Sequence, residues 1–359
     1  MTGEIIKLPQ HATRRKKPRT HATVMDVAKL AQVSVATVSR TYSSPQVVTE
    51  EARRRVLDAA ATLNFSPHPG ARMLRSRKSH IVAAVIPTLD YALFATLVNT
   101  FQDVMSRAGH LVIVLSVGFN AEAVVEQAKL LVERGAEALM FVGRVADPDL
   151  VAYLTQRKIP VVSTYSFEPD GLFPSIGFDN ADAIRRSLNH MIQLGHREFV
   201  FLSGPQLNND RQAARIAAFN EGLAREGINP AGRVIECEYS FGRGADALRD
   251  IRHERPETTC VMCSSDVLAI GVLAECRRLK INVPEDISVV GFDDMDFSAI
   301  ADPGLTTIAV PAAQMGKLAA EALLKTLASG ERIRPVLLDT SLILRESTGR
   351  PRNMKGPVP

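Results

Sequence analysis

Ser34-Val35-Ala36-Thr37-Val38-Ser39-Arg40 places three small apolar side chains, three hydroxyls and a guanidinium within two helical turns. Small residues such as Val35 and Ala36 let a helix approach a thymine methyl or a base plane closely. Thr37 and Ser39 can hydrogen-bond phosphates or base edges. Arg40 can fork onto guanine O6 and N7, a pair worth about 1–3 kcal/mol of discrimination. This is chemistry for the major groove of DNA. Cys260-Val-Met-Cys263 has the spacing of a metal or redox pair, yet neither a second pair nor histidines complete a zinc set, and the run is apolar like a buried strand. Cys237, Cys260, Cys263 and Cys276 are therefore expected to be reduced thiols, Cys260 and Cys263 in the core. The chain shows no P-loop, no G-x-G-x-x-G and no G-x-S-x-G. No catalytic residue, no metal and no cofactor is expected.

Elements must position the groove-facing residues. From Thr23 the pattern turns helical: Thr23 suits an N-cap, and Val27, Ala28, Leu30 and Ala31 supply an apolar face. Ser34 caps a second helix to about Tyr42. Thr49 caps a third, with Glu50 and Glu51 in its first turn and Val56, Leu57, Ala60 and Leu63 inward. A basic stretch, residues 1–21, precedes this headpiece (22–66) and reads as a disordered tail. A Pro- and Arg-rich segment, 67–79, follows it as a linker.

Charge divides along the same boundary. Residues 1–80 carry 15 Lys and Arg against 5 Asp and Glu, a balance of +10 that leaves −6 for the remainder of a chain of net +4. A polyanion partner is thus expected for the first part alone. Hydrophobic content of 46% and charged content of 23% are those of a globular protein. Neither an apolar run of membrane-spanning length nor an export signal is seen, so a cytoplasmic protein without a membrane partner is expected.

After His80, strand-like runs (HIVAAVIP, HLVIVLSV, EALMFVG, IPVVSTY, EFVFLSG, TCVMCSS, ISVVGFDD) alternate with amphipathic stretches of helical length. This order implies parallel sheets covered on both faces. The runs fall into two groups about Gly177, predicting two doubly wound subdomains with a cleft at the carboxyl ends of their strands.

TVMDVAKLAQVSVATVSR, followed by VVTEEARRRVLDAAATLNFSPHPGARMLRS, resembles the headpiece and hinge of the LacI/GalR family of bacterial transcription regulators. SIGFDN, LGHREFVFLSGP, CSSDVLAIG, VPEDISVVGFDD and DPGLTTI follow in that family's order and spacing, so the resemblance covers about residues 23–345. It implies a small all-α helix-turn-helix headpiece joined to a periplasmic-binding-protein-like α/β body of two doubly wound parallel-sheet subdomains. It also implies an operator-binding regulator, a repressor of carbohydrate or sugar-acid genes, with a small sugar-like effector in the cleft.

The residues the resemblance carries over are specific. Thr23, Ser34, Val35, Ala36, Thr37, Ser39 and Arg40 become candidate DNA contacts. The linker becomes a hinge helix in which Leu74 wedges between base pairs, Ala71 allows close helix approach and Arg72, Arg75 and Arg77 stand near phosphates. Leu93, Phe94, Arg215, Phe219, Ser265 and Asp293 become candidate effector contacts, Ser265 standing where the family commonly has Asn. Without Trp, stacking is left to Tyr91, Phe94, Tyr165 and Phe219. Arg144 and Arg211, if directed inward, favour a sugar acid or sugar phosphate over a neutral sugar. Gln32 departs from the glycine usual at the headpiece turn, and Pro69-Gly70 weakens the start of the hinge helix.

The implied domains are the headpiece, a hinge at 67–79 and a body at 80–345. Within the body the N-subdomain takes about 80–177 and 308–345, and the C-subdomain about 178–307. Residues 346–359 are expected to be disordered. The partners are double-stranded operator DNA, the effector and a second copy in a homodimer, because paired headpieces read a palindrome. A solute-binding protein of the same two-lobed fold is the alternative.

Overall fold

The computed structural model describes residues 22–66, 78–89 and 92–352, which fall into two units divided between Lys78 and Ser79. In the first unit, α1 (Val24–Leu30), α2 (Val35–Ser43) and α3 (Glu50–Thr62) pack around Val27, Ala28, Ala31, Val38, Val56, Ala59 and Ala60. Each helix starts on the hydroxyl that the sequence offers. Thr23 accepts from Asp26 N–H while Asp26 accepts from Thr23 N–H at 2.8 Å, a reciprocal capping box. Ser34 accepts from Thr37 N–H at 3.0 Å, and Thr49 accepts from Ala52 N–H. Gln32 takes the left-handed conformation at φ 54°, so the turn is kept without its glycine at a backbone cost of about 1 kcal/mol.

The second unit holds two six-stranded sheets. β1 (Ile81–Ile86), β2 (Leu111–Ser116), β3 (Ala136–Val142), β4 (Val161–Thr164), β5 (Ser175–Gly177) and β11 (Val336–Leu337) form the first, in the order β11-β5-β4-β3-β1-β2 and all parallel. α4 (Ala92–Arg107), α5 (Ala121–Glu133), α6 (Pro148–Gln156) and α12 (Ala312–Ser329) accompany it. The second sheet runs β12-β10-β9-β8-β6-β7, from β6 (Phe199–Ser203), β7 (Val234–Glu236), β8 (Cys260–Cys263), β9 (Ser288–Asp293), β10 (Thr306–Ala309) and β12 (Ser341–Ile343); β12 alone is antiparallel to its neighbour. α7 (Asn180–Gln193), α8 (Asp210–Arg225), α9 (Phe241–Glu254), α10 (Asp266–Leu279) and the short α11 (Asp296–Ile300) complete it. All seven expected runs are strands. Cys260 and Cys263 point into clusters on opposite faces of β8, where burial pushes both thiols up, so they share no ligand.

Two expected boundaries need correction. Residues 308–345 do not form one return to the first subdomain. β10 pairs with β9 in parallel register, Ala309 opposite Asp293, and β12 adds to β10, so both belong to the second sheet; α12 and β11 alone return to the first. The chain therefore passes between the subdomains after Gly177, after Ala309 and after Leu337. The segment from Glu346 is not disordered through Arg352. Ser347 is fully buried and donates to Val289 O at 2.6 Å, His196 Nε2 donates to Gly349 O at 2.9 Å, and Arg352 pairs with Asp286. Residues 353–359, the tail 1–21 and hinge residues 67–77, with Ala71, Leu74 and Arg75, lie outside the described residues.

Replacing Gln32 by Gly removes the left-handed strain at an exposed position. Calorimetry of the intact chain is expected to show the headpiece transition raised by a few degrees, for a gain of about 0.5–1 kcal/mol.

Candidate functional site

The first site is the exposed face of α2. Val38 and Thr41 turn inward, with Thr41 Oγ1 donating to Thr37 O at 3.0 Å, and this rotation leaves Val35, Ala36 and Arg40 exposed and Ser39 half-buried. Ser34 and Thr37 exchange a hydroxyl hydrogen bond of 2.9 Å, so these two hydroxyls also fix the helix start. The Thr23 hydroxyl is engaged with Asp26. Small side chains, one guanidinium and the N-terminal N–H groups of a capped helix make a surface suited to a base edge and its phosphate.

The second site lies where the carboxyl ends of both sheets meet. Phe94, Phe119 and Tyr165 from the first subdomain face Asn209, Arg211, Arg215, Tyr239, Ser264, Ser265 and Asp293 from the second around a cavity of about 40 Å³. Arg215 is 5% exposed; its Nε donates to Asn180 Oδ1 at 2.8 Å, its Nη1 to Ser264 O at 2.9 Å, and its guanidinium lies 3.6 Å from the Phe292 ring centroid. Burial lowers the Arg215 pKa and Asp293 opposes that shift. The Asp293 carboxyl is driven well above the ordinary carboxylate range by burial, against Arg215 and a hydrogen bond from Ser265. Ser265 also caps α10, accepting from Val267 N–H at 3.2 Å.

Backbone strain gathers here. Tyr165 (φ 67°), Asn208 (φ 55°), Asp293 (φ 118°) and Asp294 (φ 53°) occupy the region that favours glycine. Tyr165 and Asp293–Asp294 stand at or just past the ends of β4 and β9, where the chain must turn to aim side chains into the cleft. The cleft is closed. Ser166 donates to Asp210, Asn208 Nδ2 donates to Phe119 O at 3.1 Å, and Asn180 Nδ2 donates to Tyr165 O at 2.8 Å, each bond joining the two subdomains. Gly143, at φ 91°, carries the Arg211 guanidinium so closely that a Cβ there would lie 1.9 Å from Nη1.

Of the expected effector residues, Phe94, Arg215, Ser265 and Asp293 converge on the cavity. Phe219 does not: it is fully buried and stacks on Phe201 at 5.1 Å in the core, because the helical rotation that aims Arg215 at the cavity turns Phe219 inward. The side chain of Leu93 and all of Tyr91 lie outside the described residues. Arg211 points inward at 6% exposure, while Arg144 is largely exposed and pairs with Glu168 at 3.7 Å. Sequence reasoning passed over Phe119, Asn209 and Tyr239. Tyr239 fits only because Gly204 lacks a Cβ, which would come within 2.0 Å of its ring. Gly204 in LSGP, directly after an apolar strand, was the available signal.

Comparison with known proteins matches both parts of the chain. Residues 23–68 match the model for bacterial regulatory proteins, lacI family, and residues 188–348 match that for a periplasmic binding protein-like domain. The HTH-type transcriptional repressor CytR of Escherichia coli (strain K12) is 29% identical over 339 residues, 93% of this chain and 98% of that protein. The lac repressor dimer bound to operator and the anti-inducer ONPF aligns with a TM-score of 0.82 at 27% identity, over 92% of this chain and 100% of that one. A CelR–cellobiose complex aligns with a TM-score of 0.64 at 25% identity, over 91% and 100%. The chain belongs to the lacI family of bacterial regulatory proteins. As a lacI-family protein it is a DNA-binding transcription regulator with a ligand-binding body, and it is not an enzyme. Among the described residues no helix is long and apolar enough to cross a membrane.

Asp266 holds the cleft of this lacI-family protein in shape. It is fully buried and accepts from Met295 N–H at 2.8 Å, Ser298 Oγ at 2.6 Å and Thr307 Oγ1 at 2.5 Å, tying the loop after Asp293 to β10. Burial raises its pKa to about 6 from 3.8. The native chain therefore holds this proton at pH values where the unfolded chain has lost it. Its contribution favours folding below about pH 4 and is lost as the pH rises through about 6. In urea denaturation, the stability of wild type minus that of Asp266→Ala is expected to be larger at pH 4 than at pH 7, by about 3 kcal/mol. Gly204→Ala is expected to displace Tyr239 and weaken effector binding at least about tenfold by calorimetry while leaving α2 and operator binding without effector intact.

Proposed function

We propose that this regulator is a dimeric, cytoplasmic repressor whose operator affinity is set by a sugar acid or sugar phosphate in the interlobe cleft. The observation that carries the effector class is the pair of buried guanidiniums, Arg211 and Arg215, on a cavity that also holds the Asp293 carboxyl. The cations suit an anionic group by charge-assisted hydrogen bonds, and the carboxylate and Ser265 suit hydroxyls. Phe94, Phe119, Tyr165 and Tyr239 offer ring faces. The cellobiose complex of a relative supports a sugar-like ligand, and the dimer of the lac repressor supports two copies on a palindrome. β2 supports the dimer independently: it is a sheet edge whose Leu111 is exposed and whose Val112, Ile113, Val114 and Leu115 are only half-buried. The groove-facing residues proposed are Val35, Ala36, Thr37, Ser39 and Arg40, with Thr23 and Ser34 holding helix starts against the backbone.

The test is operator binding by the purified chain on palindromic sites upstream of its own gene, titrated with neutral sugars, sugar acids and sugar phosphates. An acid or phosphate is expected to change operator affinity, and Arg215→Ala and Asp293→Ala are expected to abolish the response. Response only to neutral sugars overturns the effector class. Because burial makes the Asp293 carboxyl take up its proton above the ordinary carboxylate range, acidification is expected to weaken the effector response at a higher pH than an exposed carboxylate would require, as the charged acceptor is lost. Arg40→Ala is expected to cost about 1–3 kcal/mol on the operator and little on random DNA.

A further inference from the structure

A larger chamber of about 350 Å³ adjoins the cavity under Asp293 and shares Phe119, Asn209 and Arg211 with it. The far wall is apolar, built by Val117, Val124, Phe141, Val145 and Leu150 at and beyond the carboxyl ends of strands of the first subdomain. Asn120 and Asp147, also on that wall, spend side-chain oxygens on the helix starts they cap. Free hydrogen-bonding capacity lies at the shared neck. Asn209 is 4% exposed; its Nδ2 donates to Pro205 O at 3.0 Å, and its Oδ1 has no partner among the described residues. Arg211 donates to Asp210 at 3.1 Å and makes no other hydrogen bond among the described residues, although a guanidinium carries five N–H groups.

The two volumes differ in what they admit. The cavity under Asp293 holds little more than a water molecule in this closed state, whereas the chamber has the size of a small-molecule site. A sugar suits it badly, because its hydroxyls would face the apolar wall without partners. An apolar body suits the wall, an anionic group suits Arg211, and a donor suits Asn209 Oδ1.

We propose that the chamber is a second ligand site, for a small 2-hydroxy carboxylic acid with an aromatic or branched aliphatic body. The body fills the space against Val124 and Phe141, the carboxylate takes the place of Asp210 on Arg211, and the hydroxyl donates to Asn209 Oδ1. Asp210 also accepts from Ser166 across the subdomain junction, so occupancy acts on a contact that closes the cleft. The site uses neither Asp293 nor Arg215, but it shares Asn209 and Arg211 with the cavity of the sugar-acid reading, so the two ligands are expected to compete for the Arg211 guanidinium.

The test uses the intact protein and the probe 4-fluoromandelate, followed by fluorine NMR and calorimetry. Saturable binding is expected with a dissociation constant of about 1 mM or tighter. Val124→Phe, which fills the chamber, and Arg211→Gln are each expected to weaken it by at least about tenfold. Asn209→Ala supplies the decisive variant should Val124→Phe melt early: it is expected to weaken 4-fluoromandelate and not 4-fluorophenylacetate, which lacks the hydroxyl. Absence of saturable binding overturns the proposal, as does binding that survives both Val124→Phe and Asn209→Ala. Asp293→Ala, which is expected to abolish the response to the sugar panel, is expected to leave 4-fluoromandelate binding in place because Asp293 does not line the chamber, and this separates the two results.

Discussion

The body is organised around two opposite charges at its centre, the buried Arg215 and the half-buried Asp293. Removing either ion from water costs several kcal/mol unless polar partners replace the solvent. Arg215 obtains those partners from Asn180, Ser264 and the face of Phe292. Asp293 obtains a hydrogen bond from Ser265 and the field of Arg215. The compensation is incomplete, since burial still moves both groups toward their neutral forms. Hydroxyls and an acid group on a ligand can make good that shortfall, so the cost of burying these groups turns into selectivity on binding.

Holding these charges dictates much of the surrounding geometry. Phe94, Tyr165, Phe178 and Phe292 form a chain of ring contacts 5.1–6.2 Å apart that runs from the first subdomain into the second. Phe292 then carries Arg215 on its face. Asp293 and Asp294 accept positive φ to bring one carboxyl under the cavity and the other to Arg345 at 2.7 Å, which pins the end of the third passage between subdomains. Strain at these strand ends is tolerated because Asp266 fixes the following loop from below.

The long apolar runs and the hydroxyl before each headpiece helix were legible in the sequence because each is a local signal: periodicity for the strands, an N-cap side chain for the helices. β5, β7, β10, β11 and β12 were not, being two to four residues long and formed by pairing with distant strands. The same non-local pairing misplaced residues 308–345, since nothing in TTIA or SLI says which sheet receives it. The disordered ending assumed for residues after Arg345 failed because Ser347 and Gly349 satisfy His196, Val289 and Ser288, groups that stand far away in sequence. In the site, Arg215, Ser265 and Asp293 were found through ordered motifs, whereas Phe119, Asn209 and Tyr239 arrive from loops with no spacing rule. Phe219 shares a helix with Arg215 and lies about one turn beyond it, yet a modest rotation of that helix decides which of the two faces the ligand.

Asn180 links the cavity to the passages of the chain between subdomains. This side chain accepts from Arg215 and donates to Tyr165 O, so one amide joins the buried cation of the second subdomain to a strained residue of the first. It stands just past the first passage of the chain between subdomains, next to the fully buried Phe178. A ligand that draws Arg215 toward the cavity must lengthen or redirect that link, and Ser166–Asp210 and Asn208–Phe119 at the mouth respond to the same movement. Each neutral bond contributes about 0.5–1.5 kcal/mol and each bond to a charged group about 1.5–3 kcal/mol, and allosteric coupling requires about 1–3 kcal/mol. Two or three such links changing together therefore suffice to shift the balance between closed and open subdomains, and no long chain of intermediaries is needed.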